Sequence, residues 1–172
     1  MHFPLFVDLE DKPCLVVGDG AVARRKREML AEFGARVTTV APETTGRGFA
    51  DSDVEGQFLV VAATDDAVLN ARVAALCRDR GIPVNVVDDP TNCTFVFPAV
   101  SRKGPLVAAV SSGGACPVAA KVARDRMARA LPDDFVVAVE SLAARREEMK
   151  RLYPDVCERR RKYEEALQAW NV

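Results

Sequence analysis

The sequence predicts an α/β protein: a parallel sheet in the N-terminal part, then a β-hairpin, then a small helical C-terminal part. Three observations predict it. Through the first ninety residues short apolar runs alternate with longer helical patterns, as strand–helix–strand crossovers require. After Pro90 two β-rich runs flank a turn-rich segment, which suits an antiparallel hairpin and not another crossover. From Asp133 onward the pattern is helical, with a break at Pro154 and a basic stretch at Arg159, Arg160, Arg161 and Lys162.

Residues 14–17 are a buried-strand candidate, followed at once by Gly18, Asp19 and Gly20. Over residues 21–33 the apolar positions Val22, Met29, Leu30 and Phe33 fall on one helical face, with Arg24, Arg25, Arg27 and Glu28 on the rest. Gly34 stands where a helix C-cap belongs. Residues 36–41 alternate as a second strand, ended by Pro42. Residues 44–56 carry three glycines and little apolar content, so they are expected to be a loop. Residues 58–63 form a central strand, and Thr64-Asp65 supplies N-cap chemistry for a helix reaching about Arg80. Gly81, Ile82 and Pro83 turn the chain into a fourth strand, residues 84–87, which ends at Asp88-Asp89-Pro90. Residues 94–100 and 106–111 are the hairpin runs, joined through 101–105. The Ser112–Pro117 connection then leads into a helix over about residues 118–131.

Composition narrows the chemistry. The chain has 172 residues, enough for one domain with a small appendage. Its 24 Lys+Arg nearly balance 25 Asp+Glu, and the pI is near 5.9, so no whole-protein field favours nucleic acid or an anionic membrane. No apolar run approaches the ~20 residues that span a bilayer, and the first residues are not a signal peptide. A cytoplasmic protein is expected. Five cysteines without a CxxC pair, and a single histidine at His2, argue against a disulfide framework, a structural zinc site, a Ser-His-Asp triad or any other metal centre. Acid–base chemistry therefore falls to a carboxylate, Lys, Tyr or Cys.

Gly18-x-Gly20-x-x-Ala23 is a dinucleotide fingerprint of the Rossmann type, set between a predicted strand and helix. The first glycine permits the tight turn, the second lets backbone approach a pyrophosphate, and the small third residue packs helix on strand. The helix N-terminus adds N–H groups and partial positive charge. The bland reading is an ordinary glycine-rich turn. Glu43 is the acidic candidate for a ribose hydroxyl, and its charge favours NAD over NADP; the alternative is a solvated loop glutamate. Thr64-Asp65-Asp66 and Asp88-Asp89 both fall at carboxyl ends of strands, where ligands bind in open α/β sheets. Spacing alone favours capping for the first and an Asp-Pro turn for the second. Ser111, Ser112, Gly113 and Gly114 could form a backbone anion nest or simply a turn.

Taken in order, these segments resemble the precorrin-2 dehydrogenase family, the dehydrogenase module of siroheme synthases. The resemblance runs from Phe3-Pro4-Leu5-Phe6-Val7-Asp8-Leu9 through Cys14-Leu15-Val16-Val17-Gly18-Asp19-Gly20-Ala21-Val22-Ala23-Arg24-Arg25-Lys26 and Ala41-Pro42-Glu43. It continues in Ala62-Ala63-Thr64-Asp65-Asp66, Asn85-Val86-Val87-Asp88-Asp89-Pro90, Phe95-Val96-Phe97-Pro98-Ala99, Ala109-Val110-Ser111-Ser112-Gly113-Gly114 and Glu158-Arg159-Arg160-Arg161. Nearly the whole chain is covered.

The resemblance implies an NAD-binding Rossmann domain at residues 1–97, a dimerisation region at 98–131 and a helical part at 132–172. It implies a homodimer that oxidises precorrin-2, a tetrapyrrole, to sirohydrochlorin with NAD+, and it leaves ferrous iron insertion open. Ala21-Val22 and Pro42-Glu43 match cofactor-contact positions, Asp88 the essential aspartate, and Ser112 a serine at the active-site edge. Asp88 thereby becomes a catalytic candidate despite the local turn reading. The octacarboxylate substrate is expected between the nucleotide domain and the dimerisation region, with Arg102, Lys103, Lys121 and Arg124 as carboxylate partners beside Ser112, Gly113 and Gly114. The methyltransferase module fused to some siroheme synthases is not expected here.

Two departures stand out. The family pattern carries a longer segment with another helix and strand where this chain has only residues 44–52, so one strand fewer and a more open adenosine end are expected. Cys116 replaces a usually polar residue, and a packed cysteine is the simpler reading. The short segment motivates an alternative function, a regulatory module that binds NAD(H) without chemistry. A third reading is an interaction protein with an empty nucleotide fold.

Overall fold

Four short apolar runs, each bounded by glycine, proline or aspartate, become the strands β1 (Pro13–Val17), β2 (Arg36–Val40), β3 (Leu59–Ala62) and β4 (Val84–Val86). In the computed structural model, which describes residues 2–168, they pair in parallel in the order β2-β1-β3-β4. The chain divides into two compact units, Met1–Phe97 and Pro98–Val172.

In the first unit, strand alternation sorts β1 to two faces. Leu15 and Val17 pack with Val60, Ala62, Val84, Val86 and the helix α3 (Ala67–Asp79) through Val73, Ala74 and Cys77. Cys14 and Val16 pack with Leu59, Val61 and the helix α1 (Ala21–Glu32) through Ala23 and Leu30. A sheet covered on both faces needs strands that are apolar throughout, which is what β1 and β3 are. On α1 the residues that bury are Ala23 and Leu30, while the expected Val22 and Met29 are only half-buried. The helix ends as predicted at Gly34, whose φ of 83° only glycine adopts freely. Its N–H donates to Ala31 O at 3.0 Å and that of Ala35 to Leu30 O at 3.2 Å, a Schellman ending.

The predicted loop at 44–56 is more structured than expected. It holds α2 (Pro42–Thr45) and a 3-10 turn, Asp51–Val54, whose Val54 is fully buried in the α3-side core. Arg47 closes this segment on Asp53 through two hydrogen bonds, at 2.6 and 2.8 Å, and the Ala50 N–H adds a third at 2.8 Å. The Arg47 bonds hold the Asp53 carboxyl below the usual carboxylate range. No strand follows β2 on that side among the described residues, so β2 is the sheet edge.

The β-rich composition of residues 94–98 predicts them in the hairpin, but they lie outside it, and residues 93–95 lie at the opposite edge of the sheet. They run along β4: Thr94 N–H donates to Val84 O, and Val84 N–H to Thr94 Oγ1, both at 2.8 Å. Val86 N–H donates to Cys93 Sγ at 3.1 Å, and Asn85 Nδ2 to Phe95 O at 3.1 Å. This segment satisfies an edge that would otherwise expose backbone.

In the second unit, β5 (Ala99–Lys103) and β6 (Leu106–Val110) pair antiparallel with Lys103 opposite Leu106. Arg102 and Lys103 are therefore strand residues, and the turn is only Gly104-Pro105. Gly104 has φ 55°, and proline fixes its own φ near −65°, which gives the II′ pattern of two-residue hairpins. The helices α4 (Pro117–Arg129), α5 (Asp133–Ala144), α6 (Arg146–Leu152) and α7 (Val156–Leu167) follow. The tail breaks at Arg145 as well as at Pro154.

The cap of α3 also differs from expectation. Asp66, not Thr64 or Asp65, accepts from the Val68 and Leu69 N–H groups, at 2.9 and 3.1 Å. Asp66→Ala is expected to lower unfolding free energy by about 1 kcal/mol, while Asp65→Ala leaves it unchanged; urea melts of the two variants check this.

Candidate functional site

Because all four strands of the first unit run the same way, their carboxyl ends open on one edge. The loops there carry Gly18 and Gly20 after β1, Pro42 and Glu43 after β2, Thr64 and Asp65 after β3, and Asp88 after β4. Strand order reverses between β1 and β3, and ligands of open α/β sheets bind outside that switch point.

The two fingerprint glycines have separate jobs. Gly18 is buried with φ 107°, and a Cβ there would lie 2.4 Å from the Ala63 carbonyl oxygen. Its N–H donates to Val40 O at 2.8 Å, so it ties the ends of β1, β2 and β3 together. Gly20 is exposed, and a Cβ built on it meets nothing within 4 Å. It is the N-cap of α1, with no side-chain cap and no acidic residue in the first turn. The first intrahelical donor is the Arg24 N–H, to Gly20 O at 3.0 Å, so the Ala21, Val22 and Ala23 amides lack helix partners. Aspartates cap α3 and α7, whereas α4, α5 and α6 share with α1 the lack of a side-chain cap. An uncapped helix start behind an open glycine fits a dinucleotide pyrophosphate.

Sequence reasoning passed over three residues here. Asp19 accepts at Oδ2 from Thr44 Oγ1, at 2.9 Å, which joins the glycine loop to α2 next to Glu43. Only the fold brings these residues together. Pro42 opens α2, and the Glu43 carboxylate in its first turn is exposed. Asn70, buried on α3, donates through Nδ2 to Thr64 O at 2.9 Å and accepts from Thr64 Oγ1 at 2.7 Å, which fixes the β3 loop while Asp65 stays exposed. Lys26 lies half-buried with Nζ 3.8 Å from the Phe97 ring centroid. Burial pushes its ammonium below the ordinary lysine range; the charge of Arg25 adds to that, and Cys93 opposes it.

The pair after β4 divides its roles. Asp89 makes the turn: its carboxylate accepts from Thr91 Oγ1 and Asn92 Nδ2, both at 2.6 Å, and from their N–H groups. Those bonds, the Thr91 hydroxyl first, hold its carboxyl below the usual range. Asp88 is exposed and sits at φ 59°, a left-handed conformation in which asparagine and aspartate outnumber other non-glycine residues. The turn thus leaves the Asp88 carboxylate unengaged.

In the second unit, Ser111 Oγ accepts from Gly113 N–H at 3.1 Å and Ser112 Oγ from Cys116 N–H at 3.0 Å. Ala115 N–H donates to Ser112 O at 3.1 Å, so three amides of this turn bond within it. Gly113 and Gly114 are exposed, as are Arg102 and Lys121. Arg124 donates to Val100 O at 3.3 Å and pairs with Asp125 at 2.7 Å. The Lys103 ammonium bonds Leu131 O and pairs with Asp133 at 2.8 Å. Lys103 lies at the turn end of the hairpin, and Ser112 follows its other end, so the hairpin length of ~13 Å separates their backbones. Among the described residues no three His, Cys, Asp or Glu side chains gather as a metal site, and no helix is long and apolar enough to cross a membrane.

Residues 5–99 match a family model described as "Putative NAD(P)-binding". The siroheme synthase of Pseudomonas entomophila (strain L48) is 44% identical over 183 residues, which cover 97% of this chain and 39% of the relative. That of Ectopseudomonas mendocina (strain ymp) is 42% identical over 178 residues, covering 96% of this chain and 38% of the relative. The chain spans about two fifths of the length of these curated relatives. An alignment of 183 positions exceeds the 172 residues of the chain, so the relative carries residues without a counterpart here. A solved structure of SirC, precorrin-2 dehydrogenase, shares the fold, with a TM-score of 0.68, 22% identity and 98% of each chain covered.

The glycine geometry separates stability from binding. Gly18→Ala is expected to cost roughly 2 kcal/mol or more, from strained φ and a backbone clash, read as a lower melting temperature. Gly20→Asp has room for its side chain, so melting is unchanged while NAD+ affinity by calorimetry falls roughly a hundredfold, through negative charge at the pyrophosphate. With more than half its residues within the family match and an open glycine loop at the strand ends, the chain belongs to this NAD(P)-binding family.

Proposed function

We propose that the chain oxidises precorrin-2 to sirohydrochlorin with NAD+ as the hydride acceptor. One observation carries the reading: an open, uncapped glycine loop and an exposed, unengaged Asp88 carboxylate share the carboxyl edge of one sheet. The siroheme synthases aligned over nearly the whole chain support the choice of substrate.

NAD+, when bound, supplies the acceptor for a hydride leaving the macrocycle. Gly20, Ala21 and Val22 hold its pyrophosphate at the turn that Gly18 makes, and Pro42 and Glu43 hold the ribose. The Glu43 charge disfavours a 2′-phosphate, and so favours NAD over NADP. Thr64 and Asp65 line the middle of the edge. Asp88 accepts the proton that the substrate loses with the hydride, so the reaction balances as NADH, one proton and the oxidised tetrapyrrole. Ser112, Gly113, Gly114, Arg102, Lys121 and Arg124 receive substrate carboxylates, whereas Lys103, tied to Asp133, positions the hairpin against α5.

The working unit in this proposal is a homodimer, with residues 98–131 as dimerisation region and 132–172 as helical part. Among the described residues of the second unit, only Ala120, Val136 and Met149 are buried apolar residues. Val118 and Val122 are exposed one helical turn apart on α4, and the hairpin is half-buried on both faces. That apolar surface suits a second copy. A cytoplasmic location accords with five free cysteines.

The test is anaerobic: protein, enzymatically generated precorrin-2 and NAD+, with NADH and sirohydrochlorin followed together by absorbance. Stoichiometric appearance of both is the expected result; NAD+ binding without turnover would favour a regulatory module instead. Asp88→Ala is expected to keep NAD+ affinity and lose roughly 10²–10⁴-fold in turnover, and wild-type rates would remove Asp88 from the chemistry. Sedimentation at micromolar concentration is expected to show a dimer that Val118→Asp with Val122→Asp dissociates.

A further inference from the structure

A second concave site lies in the C-terminal helices, away from the strand ends of the nucleotide sheet in sequence and in element. Val139, Leu142 and Ala143 share one face of α5, and Arg146 joins them at the start of α6, beyond the break at Arg145. Arg159, Tyr163 and Leu167 form a matching stripe on α7, at intervals of one turn. Together with Lys150 they enclose a groove of about 420 Å³, within the ~300–1,000 Å³ of small-molecule sites.

The groove is polarised along its length. On both stripes the cations stand at the end joined through α6, and the apolar side chains of Val139, Leu142 and Leu167 stand at the other. An acid pairs with only one of the three cations among the described residues, Glu147 with Lys150 at 2.6 Å. Arg159 spends one guanidinium nitrogen on the Tyr153 and Pro154 carbonyls, at 2.7 and 3.1 Å. Arg146 forms no ion pair within salt-bridge distance among the described residues, although its charge acts on the neighbouring Glu147 carboxylate. The groove thus offers an apolar floor, guanidinium groups with donors to spare and a phenol at its side.

We propose that this groove binds a small hydrophobic carboxylate, with its apolar body on Val139, Leu142, Ala143 and Leu167 and its carboxylate on Arg146 and Arg159. Guanidinium groups match the planar, two-oxygen geometry of a carboxylate. An apolar ligand without charge would leave the cationic end unsatisfied, and an inorganic anion would leave the floor uncovered. Charge complementarity therefore selects an amphipathic anion over either.

The probe is 1-naphthylacetate, with its neutral amide as control, titrated into the full chain by fluorescence and calorimetry. Saturable binding is expected, with the amide about tenfold weaker or worse. Arg146→Gln is expected to weaken the acid selectively, and Ala143→Trp, which fills the floor, to abolish binding of both. Helical circular dichroism and melting temperature of each variant, unchanged, show that the C-terminal helices of the second unit are folded. Three results would overturn the proposal: no saturable binding, equal affinity for acid and amide, or binding indifferent to both substitutions, which would put the probe elsewhere, for instance on the exposed Phe3, Leu5 and Phe6. A change of sedimentation on Ala143→Trp would also overturn it, by identifying the occupant as a second copy of the chain.

Discussion

The nucleotide end of the molecule depends on one close approach, that of the Gly18 backbone to the carbonyl of Ala63. Without a side chain at Gly18, β1 can turn at a left-handed φ directly against the end of β3 and still donate its N–H to β2. Everything downstream inherits that geometry. The turn delivers Gly20 to the start of α1, and α1 then packs through Ala23 and Leu30 on one face of the sheet. Its free amides point where the other strands also end. A methyl group at Gly18 would push the end of β1 away from the end of β3, whereas Gly20 contributes only by leaving space. Two residues of the same type in one short motif thus answer to different physics: one to packing, the other to a ligand.

The two edges of the sheet are treated differently. Residues 93–95 run along β4 and satisfy it with a thiol, a hydroxyl and backbone groups, so that edge is closed by the chain itself. At β2 the sheet simply stops, with alternating exposed and half-buried side chains where a further strand would lie. Arg47 and Asp53 tie the short crossover back on itself, and Val54 plugs the core beside α3. This short crossover meets the glycine loop where Thr44 and Asp19 join by a single hydrogen bond.

Much of this was legible in the sequence because it follows from local chemistry. Apolar runs bounded by glycine and proline gave the four parallel strands to within a residue or two, and Gly34 marked the end of α1. What escaped depends on contacts between distant residues. Residues 94–98 have β composition, but β4 needed an edge partner and the hairpin did not need them. Thr64, Asp65 and Asp66 all carry capping chemistry; Asn70 captures Thr64 and thereby moves the cap to Asp66. Lys103 is a cation near a conspicuous turn in sequence, yet strand pairing carries it to the far end of the hairpin and onto Asp133.

The Asp88-Asp89 pair shows why a structural role for one residue can free its neighbour. An Asp-Pro turn needs one carboxylate to gather the following N–H groups, and Asp89 gathers two of them together with two side-chain donors. With those donors taken, nothing local remains to hold Asp88, and the left-handed conformation turns its backbone out of line with β4. A turn that only ended a strand could use glycine at that position without strain. Aspartate tolerates this conformation, as Asp11 does at φ 55°, and in the proposed reaction the exposed Asp88 carboxylate is the group that this turn leaves available at the sheet edge.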